Sequence, residues 1–402
     1  KSAALGQVVG AKQMIDLPLN GRNYLALANL TPGAVPSNGS RDQSFSAYGN
    51  SGLQNAFLLD GARNENYLRG LDNRARDMIR PPLDALAEFT VQTSNFSAEY
   101  GAAAGGVVST ITKSGTNTLH GSAYEFLRND NLDATNFFAG GVKPLLVRNQ
   151  YGGSLGGPIR KDKIWAFGAF EGLHSRNEST SSATVPTTDM HNGIFSTNVY
   201  DPDTTRTNPS GSGYVRDVFA GNTIPTSRLN SIGVGRIALY PAANVAGSTS
   251  LYRRNVPLNQ DNKNGVVRGD YQVSSNDMMF ARYSRSAATI SANPTLPAPA
   301  QMPVDRNITS SSAGYGYTRT LTSTLINEFR FTWTTIDMSQ DGTLTRDEII
   351  SGSLDSKITS GTPNFNVSNY ATLGSQPGDY SNSPLRKSSG VWDVANNISK
   401  NW

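Results

Sequence analysis

From about residue 118 onward, apolar and polar side chains alternate with a period of two, the spacing of a strand with unlike faces. Two segments carry it most clearly. Val267, Gly269, Tyr271 and Val273 fall on one side and Arg268, Asp270 and Gln272 on the other; Phe329, Phe331 and Trp333 oppose Glu328, Arg330, Thr332 and Thr334. Noisier runs of the same kind occupy 120–128, 149–158, 163–174, 278–285 and 313–320, with Tyr124, Phe126, Trp165, Phe167, Met279 and Tyr283 as apolar members. With the run opening at Val391, about eight strands are predicted. Tight polar turns join several of them, as at Arg160-Lys161-Asp162, whereas 176–262, 287–309 and 338–388 are long and rich in Ser, Thr, Asn, Gly and Pro.

Residues 1–115 differ in texture. Short apolar strands mix with helix-like pieces: Tyr24 to Leu30 closed by Thr31-Pro32-Gly33, the strand Ala56 to Leu59 ending in Asp60-Gly61, and a stretch that starts helical after Pro81-Pro82 and ends as the strand Glu88 to Val91. Gly105 to Thr112 reads as the last strand of this α/β unit, and Lys113-Ser114-Gly115 as its boundary.

One-sided alternation fits a soluble sandwich and a transmembrane barrel equally. Short turns alternating with long loops, and aromatic residues near strand ends, favour the barrel. Composition narrows the choice further. Charged residues make up 16 % of the 402, against about 25 % in ordinary soluble domains. No apolar run approaches the ~18–20 residues of a membrane helix, but a spanning strand needs only about 9–11 alternating ones. A net charge of +4 without basic clusters leaves nucleic acid aside, and the absence of cysteine excludes thiol catalysis and Cys-ligated metal.

Specific words then add to the pattern. Asp16-Leu17-Pro18-Leu19-Asn20-Gly21-Arg22-Asn23-Tyr24, Leu30-Thr31-Pro32-Gly33, Leu58-Leu59-Asp60-Gly61, Phe89-Thr90-Val91 with Tyr100-Gly101, and the run from Gly105-Gly106 through Lys113-Ser114-Gly115-Thr116-Asn117 together resemble the plug domain of TonB-dependent outer-membrane receptors. His120-Gly121-Ser122-Ala123-Tyr124-Glu125-Phe126, Gly152 to Ile159, Phe170-Glu171-Gly172 and the phrase from Gly221 to Pro241 resemble the first barrel strands of the Oar-like branch. The resemblance implies a plug at 1–117 and the N-terminal part of an outer-membrane barrel at 118–402. The fold expected is mostly β with a small α/β plug, followed by a partial antiparallel transmembrane β-barrel of about eight of roughly 22 strands. At about 36 residues per strand and loop such a barrel needs about 790 residues, so the chain is expected to continue past Trp402. A Ton box is not recognisable in residues 1–11, which fits truncation at the N-terminus as well.

The implied function is uptake of an unidentified small ligand, glycan or peptide through the bacterial outer membrane. The plug gates the pore, a TonB-type energising complex and outer-membrane lipid are the partners, and there is no cofactor, nucleic acid or catalytic site. A secreted or surface-exposed β-rich adhesin is the alternative. By analogy, the ligand-facing plug loops carry Arg63, Asn64, Asn66, Arg69, Arg74, Arg76 and Asn95; arginines suit an anionic ligand, or else pair with wall carboxylates such as Glu125 and Asp270. Asp60, Gly61, Gly105, Gly106, Lys113 and Gly115 form the plug's structural motif, its glycine pair letting strands pass near the wall and the wall glycines permitting bends and bulges. The three histidines lie far apart without ligand spacing, but Asp337, Asp341 and Glu348, with Gly342 at the sixth position, spell a weak calcium loop, to be weighed against a plain acidic turn. No Walker or Gly-x-Ser-x-Gly motif occurs.

Overall fold

The computed structural model describes residues 5–17, 19, 21–36, 45–65, 78–97, 100–101, 103–135, 137, 143–342, 365–374 and 385–400. The first part builds β1 (Leu5–Gly10), α1 (Ala11–Asp16), β2 (Ala34–Pro36), β3 (Phe45–Ala47), β4 (Ala56–Leu59), β5 (Ala62–Arg63), β6 (Leu86–Ser94) and β7 (Val107–Thr112). Five of these form one sheet in the order β1-β6-β7-β4-β5, with β4 and β7 parallel and the other pairs antiparallel. Its core gathers Met14, Tyr24, Leu25, Phe45, Phe57, Phe89 and Val108, with the Tyr24 and Phe89 rings edge to face at 5.3 Å. Tyr24–Leu30 is a 3-10 helix whose start is capped by the Asn23 side chain accepting from Leu25 N at 3.1 Å. Seven residues between two turns are too few to propagate an α-helix on their own.

The second part is an eight-stranded antiparallel meander: β8 (His120–Asn129), β9 (Leu146–Arg160), β10 (Ile164–Thr184), then, after a long connection holding α2 (Thr188–His191), the small hairpin β11 (Arg206–Thr207) and β12 (Tyr214–Val215), and α3 (Ser231–Ile237), the strands β13 (Leu251–Gln272), β14 (Asp277–Ala292), β15 (Val304–Thr322), β16 (Leu325–Gly342) and β17 (Leu385–Lys400). The strand centres fall where alternation placed them. The strands themselves run further, to 22 residues in β13, and take up the flanks of the segments expected to be loops. Nine to eleven residues suffice to cross the lipid, so the remainder stands beyond it, where neither face needs apolar side chains and the alternation disappears.

Two neighbouring rungs define the two faces. Across all eight strands, Gly121, Leu155, Gly168, Val267, Tyr283, Ala313, Trp333 and Trp392 pair in register and point outward. One residue along, Ser122, Ser154, Ala169, Val266, Ser284, Ser312, Thr334 and Val391 point inward. Trp392 is 67 % exposed, Leu155 60 % and Val267 58 %, while Asp270 on the inner face is 1 % exposed. An exposed apolar face over a buried polar one is the reverse of a soluble sandwich and is how a membrane barrel wall is built. Not all the apolar members of the alternating runs are on the outer face: Tyr124, Phe126, Trp165 and Phe167 are on the inner one. Phe167 packs inward against Ala85, and Trp165 bonds Asn117, because β10 must meet the plug at this height.

The wall glycines do not make bulges at Gly152, Gly153, Gly156 or Gly157, where the register is continuous. The two inward ones make room for cross-strand rings instead: a Cβ on Gly152 would lie 2.5 Å from the Tyr124 hydroxyl, and on Gly156 2.9 Å from the Phe167 ring. Beyond the wall, the connection 185–250 is folded rather than loose. Val185, Tyr240, Leu296, Ala300 and Leu373 form a core that joins it to two other loops, tied by Tyr240 Oη donating to Ala371 O at 2.6 Å.

Candidate functional site: the plug against the wall

The densest constellation of polar groups lies where the first domain meets the inner face of the wall. Asp60 tips the β4–β5 turn at φ +51°, followed by Gly61 at +78°. That left-handed pair, tolerated by Asp and free for Gly, aims the carboxylate away from its own sheet. It accepts from Thr112 N at 2.8 Å and Thr112 Oγ1 at 2.9 Å, fastening the turn to β7. On its other side it meets two wall arginines, Arg282 Nη1 at 2.5 Å and Arg268 Nη1 at 3.5 Å. Arg268 also binds Asp270 at 2.8 Å and donates to Thr112 O at 3.1 Å, with its guanidinium over the Phe280 ring at 4.4 Å. Arg282 donates to Ser312 Oγ at 3.2 Å, and its Nε has no hydrogen-bond partner. Two carboxylates thus balance two guanidiniums in a site almost closed to solvent, which is the condition for such charges to be tolerated there.

This rung is shared along the wall. His120, Gly156, Phe167, Arg268, Arg282, Gly314, Thr332 and Asp393 are in register on the inner face. At its far end Asp393 accepts from Arg63 N at 2.9 Å, so the β4–β5 hairpin is held at three points of one level.

A second anchor is Arg22, at φ +51° after Gly21. Its guanidinium pairs with Asp84 of the plug and, at 3.2 Å, with Glu171 of β10, and stacks on the Tyr124 ring at 4.1 Å. Tyr124 Oη donates to Glu171 at 2.9 Å, and Ser122 Oγ to Asp84 at 3.1 Å. Only a planar, forked cation serves two carboxylates and a ring at once. The chain then leaves the plug through a tight passage. A Cβ on Gly115 would come within 2.5 Å of Ala166 O and 2.7 Å of Gly157 O. Just before it, burial holds Lys113 below its ordinary value, against the opposing pull of Asp84. Just after it, Asn117 Oδ1 accepts from Trp165 Nε1 at 2.8 Å and Asp162 N at 2.9 Å.

Asp60, Gly61, Lys113 and Gly115 therefore sit at the contact. Gly105 and Gly106 do not: they pack inside the plug, beneath Asn55 and the Phe45 ring, so their close approach is to their own domain. Asn64, one of the ligand-facing candidates, is 3 % exposed and clamps Ile79 N and O at 2.8 and 2.7 Å, a structural role. Arg63 is exposed at the hairpin, and Asn95 is exposed at a turn with φ +53°. Asn66, Arg69, Arg74 and Arg76 lie outside the described residues. The two wall carboxylates expected to receive plug arginines play other parts, Asp270 pairing within the wall and Glu125 facing outward; the wall carboxylate that does receive a plug arginine is Glu171, which takes Arg22. Sequence reasoning missed Asp84, Glu171, Arg282 and Asp393; for the last three the available signal was charge on the strand face opposite the aromatics, whereas Asp84 lies in the 3-10 turn Leu83–Ala85.

The calcium loop is corrected. Asp337 to Gly342 continue β16 in register with β15, Asp337 opposite Thr309 and Asp341 opposite Asp305, so the turn such a loop needs is replaced by extended backbone; Glu348 lies outside the described residues. Among the described residues no group of three or more His, Asp or Glu side chains is placed to hold a metal.

A folded domain fixed by buried charges to the polar inner face of an open eight-stranded wall whose outer face is apolar defines a plug seated against part of an outer-membrane β-barrel. The chain belongs to the family described as outer membrane beta barrel domain, whose model matches residues 111–402, and residues 2–108 match the TonB-dependent receptor plug domain. It is 27 % identical over 166 residues to the TonB-dependent transporter Oar of Myxococcus xanthus, an alignment covering 40 % of this chain and 15 % of that one. Its fold is similar to the outer membrane transporter YddB of Escherichia coli, with a TM-score of 0.61 at 11 % identity, over 99 % of this chain and 45 % of that one. It is also similar to FpvA of Pseudomonas aeruginosa, determined with bound pyoverdine, with a TM-score of 0.52 at 13 % identity, over 99 % and 50 %. The chain thus spans half or less of the length of these relatives.

Proposed function

We propose that the protein carrying this chain imports a ligand across the outer membrane, the domain of residues 1–117 gating the pore and a TonB-type inner-membrane complex supplying the force. The observation that supports this reading best is the Asp60 anchor. A gate must be tight at rest yet releasable, and a hydrophilic plug held by a few localised charge contacts can be freed by breaking those contacts while its own core stays packed. The transporter function of Oar, the relative matched in sequence, is carried over here as part of the proposal. The protein does no chemistry on the ligand.

Uptake by cells producing the protein tests this directly. Labelled ferric siderophores, cobalamin, oligosaccharides and peptides are offered with and without a protonophore that collapses the inner-membrane gradient. Accumulation of one class that stops on collapse supports the proposal. Accumulation that is the same in both conditions, or cell-surface binding of a class with no accumulation, overturns it.

A further inference from the structure

Three glycines on the outer face of the wall have no internal reason to be glycine. A Cβ on Gly168, Gly265 or Gly269 would meet nothing nearer than 3.8 Å, and none has a positive φ. All three lie within the long, central strands β10 and β13, where glycine weakens the strand and β-branched or aromatic residues would serve better. What these positions do is keep the surface hollow. Two adjoining depressions of about 660 and 740 Å³ share Leu155, Gly168, Val267 and Tyr283, so together they form one groove running along the strands. Its flanks are apolar and it lies within the band that faces lipid.

The two ends of the groove differ. Toward the long-loop side its lining ends at Arg285, which is paired in register with Gly265. One outward rung further stands Lys263, opposite Gly172. Among the described residues neither has a carboxylate partner. The nearest acid along β13, Asp261, is occupied by Arg176 at 3.1 Å and by His174. Glu125 and Asp337 share the Lys263 rung but lie three strands away on either side, about 14 Å. Long loops mark the extracellular side of such a wall, so the cations stand at the level of the outer leaflet's headgroups.

We propose that this groove holds an acyl chain of a phosphate-bearing lipid of the outer leaflet, with the phosphate at Arg285 and Lys263. The proposal rests on the wall's placement in a bilayer. An apolar trough ending in two cations that lack a carboxylate partner among the described residues, Arg285 beside the Tyr283 hydroxyl and Lys263 one rung beyond, matches a lipid tail with an anionic head, and it matches that lipid better than a second protein, which would leave those charges without a counter-ion at the rim. A bound lipid of this kind would fill the surface that the glycines leave open.

The test uses the full chain in detergent micelles, supplied with bisphosphorylated lipid A or with phosphatidylcholine. Lipid A is expected to remain bound in native mass spectrometry and to raise the unfolding temperature more than phosphatidylcholine. Arg285→Gln and Lys263→Gln are each expected to weaken retention about fivefold. Gly168→Leu, at a position with room for the side chain, is expected to abolish it with both cations intact. A lipid A analogue carrying a photoreactive acyl chain should label Leu155, Val267 or Tyr283 in the unsubstituted protein, an outcome that does not depend on any variant folding. Equal retention of the two lipids, or labelling elsewhere on the wall, overturns the proposal. So does a Gly168→Leu protein that keeps lipid A, or one that instead changes the association between copies. Recovery of the chain from cells in soluble form without detergent would sink the bilayer placement itself, a distinct failure.

Discussion

The Asp60 carboxylate closes its own turn onto Thr112 and at the same time balances Arg282 and Arg268. Asparagine can keep the left-handed backbone and some of the hydrogen bonds, but not the charge. Asp60→Asn therefore leaves Arg282 buried without its counter-ion, a change of the kind that costs about 3–5 kcal/mol. Faster proteolysis of the plug in the membrane-inserted protein, with the wall strands still protected, is the expected readout. Adding Arg282→Gln should restore part of that protection, since the uncompensated charge is then removed as well. The turn itself was legible, because Asp-Gly after an apolar strand has few other uses. Its partners were not: they stand 208 and 222 residues later, and no spacing rule connects positions so far apart. Asn64 illustrates the converse, a polar residue in a loop-like phrase that is consumed by local backbone bonds.

Among the elements, the wall strands were legible only across the lipid-facing stretch, where a one-sided apolar demand imposes the period of two. Their extensions are held by backbone pairing and by short polar side-chain bonds, and carry Ser, Thr and Asn on both faces, as in Ser179 to Ser182 of β10, where Thr180 Oγ1 donates to Asn255 Oδ1 at 2.9 Å. The folded connection 185–250 was illegible for a related reason, since its small core is assembled from three separate loops. Arg228 gives that connection a pH-dependent tie. It pairs with Asp201 at 2.7 Å and Asp203 at 2.7 Å, and together with the Asp203 backbone N–H it holds the Asp201 carboxyl below the usual carboxylate range. A depressed carboxylate contributes stability that is complete above the ordinary value of about 4 and is lost as the pH falls through the depressed one. Amide exchange across residues 195–230 should accordingly quicken on acidification below about pH 4, more so in low salt, because the pair is exposed and screening already weakens it. In Asp201→Asn this acid-dependent step should disappear, leaving exchange faster at neutral pH.

For the whole molecule, the decisive feature is the inversion of the wall, polar inside and apolar outside, which makes its tryptophans report on orientation. Trp333 and Trp392 lie on the outward rung with their rings 5.9 Å apart, whereas Trp165 points inward to Asn117. In single-tryptophan variants placed in vesicles of brominated phosphatidylcholine, Trp333 and Trp392 should be strongly quenched and Trp165 hardly at all. Equal quenching of the three would remove the assignment of faces.

The order of anchors along the chain has a mechanical meaning. Strand β1 lies at the edge of the plug sheet and is bonded to β6 alone, so a load applied near Leu5 peels it away one pair at a time. The first charged wall anchor in the line of tension among the described residues is Arg22, next to Gly21 O, which accepts from Gln150 Nε2 at 3.4 Å, and the stretch from Leu5 to it extends to roughly 60 Å at about 3.5 Å per residue. Tension reaches Asp60 only after Arg22 has let go. The two anchors therefore act in series, and a pull too short to take up that slack leaves both in place.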